Sequence, residues 1–279
     1  MAKWCRFLQV SSSGYYSYKA RYDSCEAEKA RIKTLVKRIF EESGGSYGPE
    51  RICAELRKGG QKCSYGKISG YMSEMELSSI HNRFKKSRSL TDSRKARGDG
   101  FPNLVRGEEF DAPGQAVCSD ITYLKCGEGW EYHCMVKDIV SGEILGESTS
   151  ERMRRDLVIK AFLNAQARHN LAPGAIFHSD RGSQYTSEEF METLKLYGIR
   201  QSFSRVGMPG DNAWAESFFA TLKKECVHFN HFATREELRQ EVFAWTNGFY
   251  NTRRIQARLG YLSPKEYASL FLADAEMAA

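Results

Sequence analysis

From Pro113 onward, the order of strand-like and helix-like segments leaves few folds open. QAVCSDITYL alternates apolar and polar residues and is rich in Val, Ile, Thr and Tyr, which predicts a strand. WEYHCMVKDIV and EILGEST predict two more, parted by Gly-containing turns. Then come a helix over MRRDLVIKAFLNAQARH, a short strand AIFHSD, a turn RGSQ, a helix SEEFMETLKLYG and a strand IRQSFS. A further helix is predicted from about Ala213 to Val227, after the break GMPGDN. A three-strand meander followed by helix, strand, helix, strand, helix predicts an α/β domain with a mixed five-stranded sheet. Beyond it, a helix from about Thr234 to Tyr250 and a short one near Pro264 form a C-terminal helical extension.

The front end has a different pattern. In SCEAEKARIKTLVKRIFEE (24–42), Ile32, Leu35, Val36 and Ile39 fall at helical spacing. Pro49 suits the first turn of a second helix ending near Lys58, and Gly59-Gly60 stops it. Ser64 can cap a third helix carrying Ile68, Tyr71, Met72 and Met75. Helix, short Gly-containing turn and helix is the pattern of a helix-turn-helix, and a plain three-helix bundle fits it too. Gly66 stands in this third helix, where a bulkier polar side chain would read base edges better.

Charge divides the chain the same way. Residues 1–110 hold 22 Lys+Arg against 13 Asp+Glu, and the rest 19 against 22. A basic front half points to an anionic polymer such as nucleic acid, although solvated helices account for such a bias as well. Residues 81–97, HNRFKKSRSLTDSRKAR, hold seven Lys+Arg and one acid. They predict a basic linker over 81–110 that runs along phosphates or merely solubilises. Lys67, Arg83, Lys85, Lys86 and Arg88 are the expected DNA contacts of this half.

Other classes are excluded. The eight cysteines form no CxxC pair and have no His-x(3–5)-His partner, which argues against zinc. They lie in apolar runs of a large chain, so reduced, buried thiols are expected rather than a disulfide scaffold. No signal-peptide core and no membrane-length apolar run is present, so a cytoplasmic place is expected.

Three acids stand out by position. Asp120 lies on the first strand, Asp180 at a strand end before Arg181-Gly182, and Glu216 in the first turn of the helix in AWAESFFATLKKE. In open α/β sheets, sites gather where strand ends meet loops and helix starts. On a helical wheel, Ala215, Phe219, Leu222 and Cys226 make an apolar stripe widened by Trp214 and Phe218, while Glu216, Ala220 and Lys223 share another face. A carboxylate beside a small alanine, with a cation further along, leaves room for an anionic ligand. Taken alone, each acid is better read as a surface residue or a structural hydrogen-bonder; spacing and neighbouring motifs change that. His178 is expected to be an inward structural residue rather than a base.

Thirty-five residues separate Asp180 from Glu216. Together, SDITY, HSDRGSQY and GMPGDNAWAESFFATLKKE resemble the D-D-35-E signature of transposases and retroviral integrases. More closely, the chain resembles the second open reading frame product (OrfB) of insertion-sequence-three family elements. LQVSSSGYYSY and SYGPERICAELRKGGQKCS match that family's front end, and YNTRRIQARLGYLSPKEY its tail. The resemblance implies an RNase H-like integrase core over 111–229, preceded by a helix-turn-helix-like region over 1–80 and followed by the extension over 230–279. It implies that Asp120, Asp180 and Glu216 are the metal-binding triad for two Mg²⁺ or Mn²⁺ ions, and that Lys223 is the family's cation seven residues after the glutamate. The implied reaction is metal-dependent 3′-end cleavage and strand transfer of an insertion sequence. The implied partners are terminal inverted repeats, target DNA, further copies of the chain and a short upstream OrfA-type protein, at a bacterial nucleoid. The tail departs from the family's common Arg-Arg-Pro-His, reading Arg253-Arg254-Ile255-Gln256. Two other classes are open: a DNA-binding regulator with an inert core, and a glycosidase using Asp120 and Glu216, which would need no divalent metal.

Overall fold

A computed structural model describes residues 2–83 and 102–278. The chain forms two compact units, Met1–Arg83 and Phe84–Ala279.

The first unit is helical. Helix α1 spans Ala2–Phe7, α2 Ser12–Glu42, α3 Pro49–Lys58 and α4 Tyr65–Glu74. Helix α2 starts twelve residues before the predicted 24, and α1 was not predicted. The local cause is a cap: the Ser11 hydroxyl accepts from the Gly14 N–H at 3.2 Å. Tyr16, Tyr18 and Tyr22 in the added turns are exposed, so no apolar period marked them. Helices α3 and α4 start where capping predicts, with Pro49 in the first turn of α3 and the Ser64 hydroxyl accepting from the Lys67 N–H at 3.4 Å. Ile32, Val36, Ile52, Leu56, Ile68 and Met72 are the buried residues these helices share.

The second unit is built on a five-stranded sheet. Strand β1 spans Ala116–Cys126, β2 Gly129–Asp138, β3 Ile144–Ser150, β4 Ile176–Ser179 and β5 Arg200–Phe203, in the order β3-β2-β1-β4-β5. β1–β2 and β2–β3 are antiparallel, while β1–β4 and β4–β5 are parallel, which is the mixed sheet expected. Helix α5 (Arg155–His169) and α6 (Glu188–Leu196) bury Leu157, Phe162, Phe190 and Leu194 in one core with Val117, Val136 and Phe177. Gly146 lets α5 close onto β3: a Cβ there would lie 2.4 Å from the Ala161 carbonyl oxygen. The other core carries α7 (Ala213–Leu222) and α8 (Arg235–Ala244). It joins Phe218, Phe219, Leu222, Leu238 and Val242 to Ala116, Cys118 and Met135 of the sheet. Residues of the predicted extension therefore share a core with the sheet.

The helices predicted over 213–227 and 234–250 both widen before they end. Lys223–Val227 and Trp245–Tyr250 are π-helical, with His228 N–H donating to the Lys223 carbonyl at 2.8 Å and Asn251 N–H to the Thr246 carbonyl at 2.9 Å. Partners distant in sequence hold both wide turns. Arg254 reaches Glu225 at 2.6 and 2.8 Å, and Asn251 pairs with both the N–H and the carbonyl of Ile144 at 2.9 Å. Helix α9 runs Pro264–Ala278, longer than the short helix expected. Ser263 and Glu266 cap it reciprocally: Ser263 N–H donates to the Glu266 carboxylate at 2.8 Å, and Glu266 N–H to the Ser263 hydroxyl at 3.3 Å.

Candidate active site

The register of β1 and β4 brings the two aspartates together. Ala116 pairs with Ile176, Val117 with Phe177 and Cys118 with His178. Two residues past the last pair, at the same offset, stand Asp120 and Asp180. Side chains alternate along strands, so both fall on the face that carries Cys118 and His178, the face α7 covers. β4 ends at Ser179, so Asp180 stands where the strand opens into a loop.

Glu216 comes from α7, whose start is held by polar ties. Lys137, buried on β2, donates from Nζ to the Trp214 carbonyl at 2.9 Å. The buried Asn212 amide donates to the carbonyl of Ser119, the neighbour of Asp120, at 3.1 Å. Asp211 accepts from the Arg205 guanidinium at 2.9 and 3.0 Å and from Asn103 at 3.0 Å. His178 is fully buried, and its ring meets the Ser202 hydroxyl at 2.9 Å, the Ser204 hydroxyl at 3.1 Å and the Asp211 carbonyl at 3.0 Å. Burial holds the His178 pKa down at about 4, so it is a neutral tether, inward as the sequence implied. Behind the aspartates, the buried Tyr185 hydroxyl meets the Ser119 hydroxyl at 2.9 Å, and Tyr185 N–H donates to the Gly182 carbonyl at 3.0 Å. One residue thus links the strand bearing Asp120, through its side chain, to the turn after Asp180, through its backbone.

The acids repel one another in a poorly solvated place. Asp120 accepts from the Ile121 N–H at 2.8 Å. Burial first, then the Asp180 charge and that of Glu216, push its carboxyl up to about 7 against the pull of that bond and of Lys223. Asp180 accepts from the Gly182 N–H at 2.9 Å. It keeps open surface at the strand end, while protein crowded around its carboxyl pushes its pKa above the usual range. Glu216 is exposed, and partial desolvation raises its carboxyl as well. Among the described residues, no three His, Cys, Asp or Glu side chains are drawn together as a metal-holding group. Asp180 and Glu216 both act electrostatically on Asp120 without forming a closed ligand cluster. The donors are hard oxygens with excess negative charge, which suits Mg²⁺ or Mn²⁺ and not a soft metal.

Ala215, Phe219, Leu222 and Cys226 are buried, with Phe218, while Glu216 and Ala220 are exposed, as the wheel predicts. Lys223 begins the π-helical turn, with Nζ 5.1 Å from the centre of the Tyr123 ring. Burial lowers the Lys223 pKa and the Asp120 charge raises it, so the lysine lies in the field of the acids. In the helical unit, Lys67 lies in the first turn of α4 with Nζ 5.8 Å from the Tyr71 ring centre. Arg83 closes the short turn Ile80–Arg83, and Lys85, Lys86 and Arg88 lie outside the described residues. Sequence reasoning missed Asn212, Lys137 and Tyr185. A lysine among the apolar residues of CMVKDIV was the available signal for Lys137, and Tyr185 closes the quoted motif HSDRGSQY without anything there to mark its role.

Family models match three stretches: an integrase core domain over residues 111–209, a second integrase core domain model over 216–272 and an HTH-like domain over 26–85. The chain is 36% identical over 243 residues to the transposase for insertion sequence element IS904 of Lactococcus lactis subsp. lactis (strain IL1403), covering 87% of this chain and 95% of that one. It is 34% identical over 276 residues to the transposase InsF for insertion sequence IS3A of Escherichia coli (strain K12), covering 96% of this chain and 94% of that one. Among solved structures, a simian T-cell lymphotropic virus intasome in complex with PP2A regulatory subunit B56 gamma is similar at 16% identity and TM-score 0.48, over 79% of this chain and 74% of that one. The HTLV-2 integrase catalytic core domain in complex with magnesium is similar at 17% identity and TM-score 0.40, over 56% of this chain and 97% of that one.

Proposed function

The chain belongs to the insertion-sequence transposases with an integrase core, and from that premise we propose that it cuts the 3′ ends of its element and joins them to target DNA through Asp120, Asp180 and Glu216. The observation that carries this reading is the β1–β4 register, which sets Asp120 and Asp180 at the same offset, with Glu216 in the first turn of the helix that covers that face; burial, Asp180 and Glu216 push the Asp120 carboxyl up to about 7. Such a site is short of positive charge, and three carboxylates from β1, the end of β4 and the first turn of α7 contribute to it. A pair of Mg²⁺ or Mn²⁺ ions held by these acids would supply activation of the attacking hydroxyl and stabilisation of the leaving oxygen. The chain's own part is placement. The β1–β4 register fixes the two aspartates, and the ties from Lys137, Asn212 and His178 fix the start of the helix that brings Glu216. Lys223, on the same side, takes a phosphate oxygen of the strand being cut and leaves the acids to the metal. The helical unit, with Lys67 and the basic residues after it, holds the terminal repeat. Further copies of the chain and an upstream OrfA-type protein complete the assembly at the bacterial nucleoid.

The test is cutting and joining of an oligonucleotide carrying the element's own end. Asp120→Asn, Asp180→Asn and Glu216→Gln each remove one ligand charge at nearly constant volume. Each is expected to abolish both steps while folding and DNA affinity hold. Near-normal Mg²⁺-dependent cutting by one variant removes that residue from the triad. A wild-type chain that binds the end and never cuts it makes the protein an inert regulator. Lys223→Ala is expected to weaken strand transfer in a way that more DNA rescues and more metal does not.

A further inference from the structure

Beside the acids, the β1–β2 hairpin presents an aromatic pair that the placement of the acids does not use. β4 pairs with β1 only over Ala116–Cys118, so among the described residues no strand covers that edge of β1 further along. Tyr123 lies three residues beyond Asp120. In the hairpin register Tyr123 faces Tyr132 and Lys125 faces Trp130, which puts Tyr123 and Trp130 diagonally on one face, the one opposite to Asp120 by the alternation of the strand. Their rings meet edge to face, with centroids 5.2 Å apart and planes at 87°. Both are open to water: Tyr123 is 46% exposed and Trp130 50%. Lys223 Nζ sits 5.1 Å from the Tyr123 ring centre, and its charge couples to Asp120.

We propose that Trp130 is a stacking platform for an unpaired base of the DNA strand entering the site, with Tyr123 as the post that sets both Trp130 and Lys223. The inference rests on the proposed function and names a substrate feature of the same site, single-stranded character next to the cut. Three observations favour a nucleic-acid base over bare decoration of a hairpin. The indole is held by a ring edge, which fixes its plane and leaves half its surface free. A cation that feels the Asp120 charge stands against the same post, 5.1 Å from its ring centre. The post is on the strand that carries Asp120. Stacking on an aromatic ring tolerates any base, because each has a π-face, so this contact would hold DNA without reading it. A protein partner would need an apolar patch, whereas the strand here continues into the exposed Lys125.

The test uses the full chain in chelator, so that strands stay uncut, and two probes: a blunt duplex, and the same duplex carrying a single-stranded thymidine tail. Wild type is expected to bind the tailed probe more tightly than the blunt one. Trp130→Ala should lose about 5- to 150-fold in affinity for the tailed probe, the range for losing one base stack, and keep its affinity for the blunt probe. Trp130→Phe should retain most of the tail preference and lose the tail-dependent quenching of tryptophan fluorescence. Equal loss on both probes, or no loss on the tailed one, overturns the platform. Equal affinity of wild type for the two probes also overturns it and leaves the proposed function standing. A wild-type chain that binds neither probe overturns the proposed function, and the platform with it.

Discussion

Removing Arg254 tests whether the tail motif acts through the wide turn after α7. Arg254 donates to both oxygens of Glu225, at 2.6 and 2.8 Å, with side-chain exposures of only 7% and 1%. Arg254→Met keeps much of the volume and removes two charged hydrogen bonds from the buried Glu225 carboxylate. Breaking one side of a buried pair costs about 3–5 kcal/mol. For a unit of this size each kcal/mol shifts Tm by roughly 2–4 °C, so the expected fall is about 6–20 °C. Replacing both partners removes the buried charge as well, so Arg254→Met with Glu225→Leu should recover most of the loss. Glu225 lies two residues beyond Lys223 in the same π-helical turn, so the single variant should also weaken strand transfer below its melting temperature. The assays are thermal unfolding and strand transfer on an element-end oligonucleotide. A single variant that melts within a degree or two of wild type refutes the reasoning. So does a double variant no better than the single one.

Asn212→Ala removes the tie between the α7 start and the strand of Asp120 and leaves the Ser119 carbonyl without that donor. Thermal unfolding should show a loss of about 1–3 kcal/mol, and strand cutting should fall further than the stability loss explains; unchanged cutting at equal folded fraction would contradict the positioning role. For pH, Asp120 titrates at about 7 in the folded chain and in the ordinary carboxylate range when unfolded, so between those values the folded state holds a proton the unfolded state has lost. Stability in chelator should therefore fall as pH rises through that window and level off above about 7. Asp120→Asn should flatten the slope, and Mg²⁺ should restore stability at the alkaline end. A pH-independent Tm for the metal-free wild type would show that the folded chain does not push the Asp120 carboxyl up.

The succession of strands was legible because β1 to β4 carry β-branched residues between Gly or polar breaks and Ile199 leads into β5, and the helix starts because Ser64 and Pro49 act within a few residues of themselves. The three acids could be picked out because spacing and neighbouring motifs narrow the choice together, which no single Asp does. The π-helical turns were not legible. They depend on Arg254 and Asn251 reaching back to Glu225 and Ile144, and a helical wheel contains no such partner. The early half of α2 was missed because its tyrosines are exposed and leave no period. Lys137, Asn212 and Tyr185 escaped for a related reason: each is a polar residue buried by tertiary contact, and local sequence scores it as surface.

The two aspartates and the glutamate are placed by different means, and mutational sensitivity should follow that difference. Asp120 and Asp180 are set by the backbone register of a buried parallel pair, which side-chain changes nearby hardly move. Glu216 rides on a helix whose rotation is fixed by Ala215, Phe218, Phe219 and Leu222, and whose end is fixed by hydrogen bonds from β2, β4 and the loop before it. A shift of that end moves Glu216 relative to a pair that stays still. Positions that move it lie far from it in sequence, at Lys137, His178 and Asn212. On the proposed triad they can be told from the acids by kinetics, since a misplaced ligand would lower the rate at saturating metal whereas a missing one would abolish it.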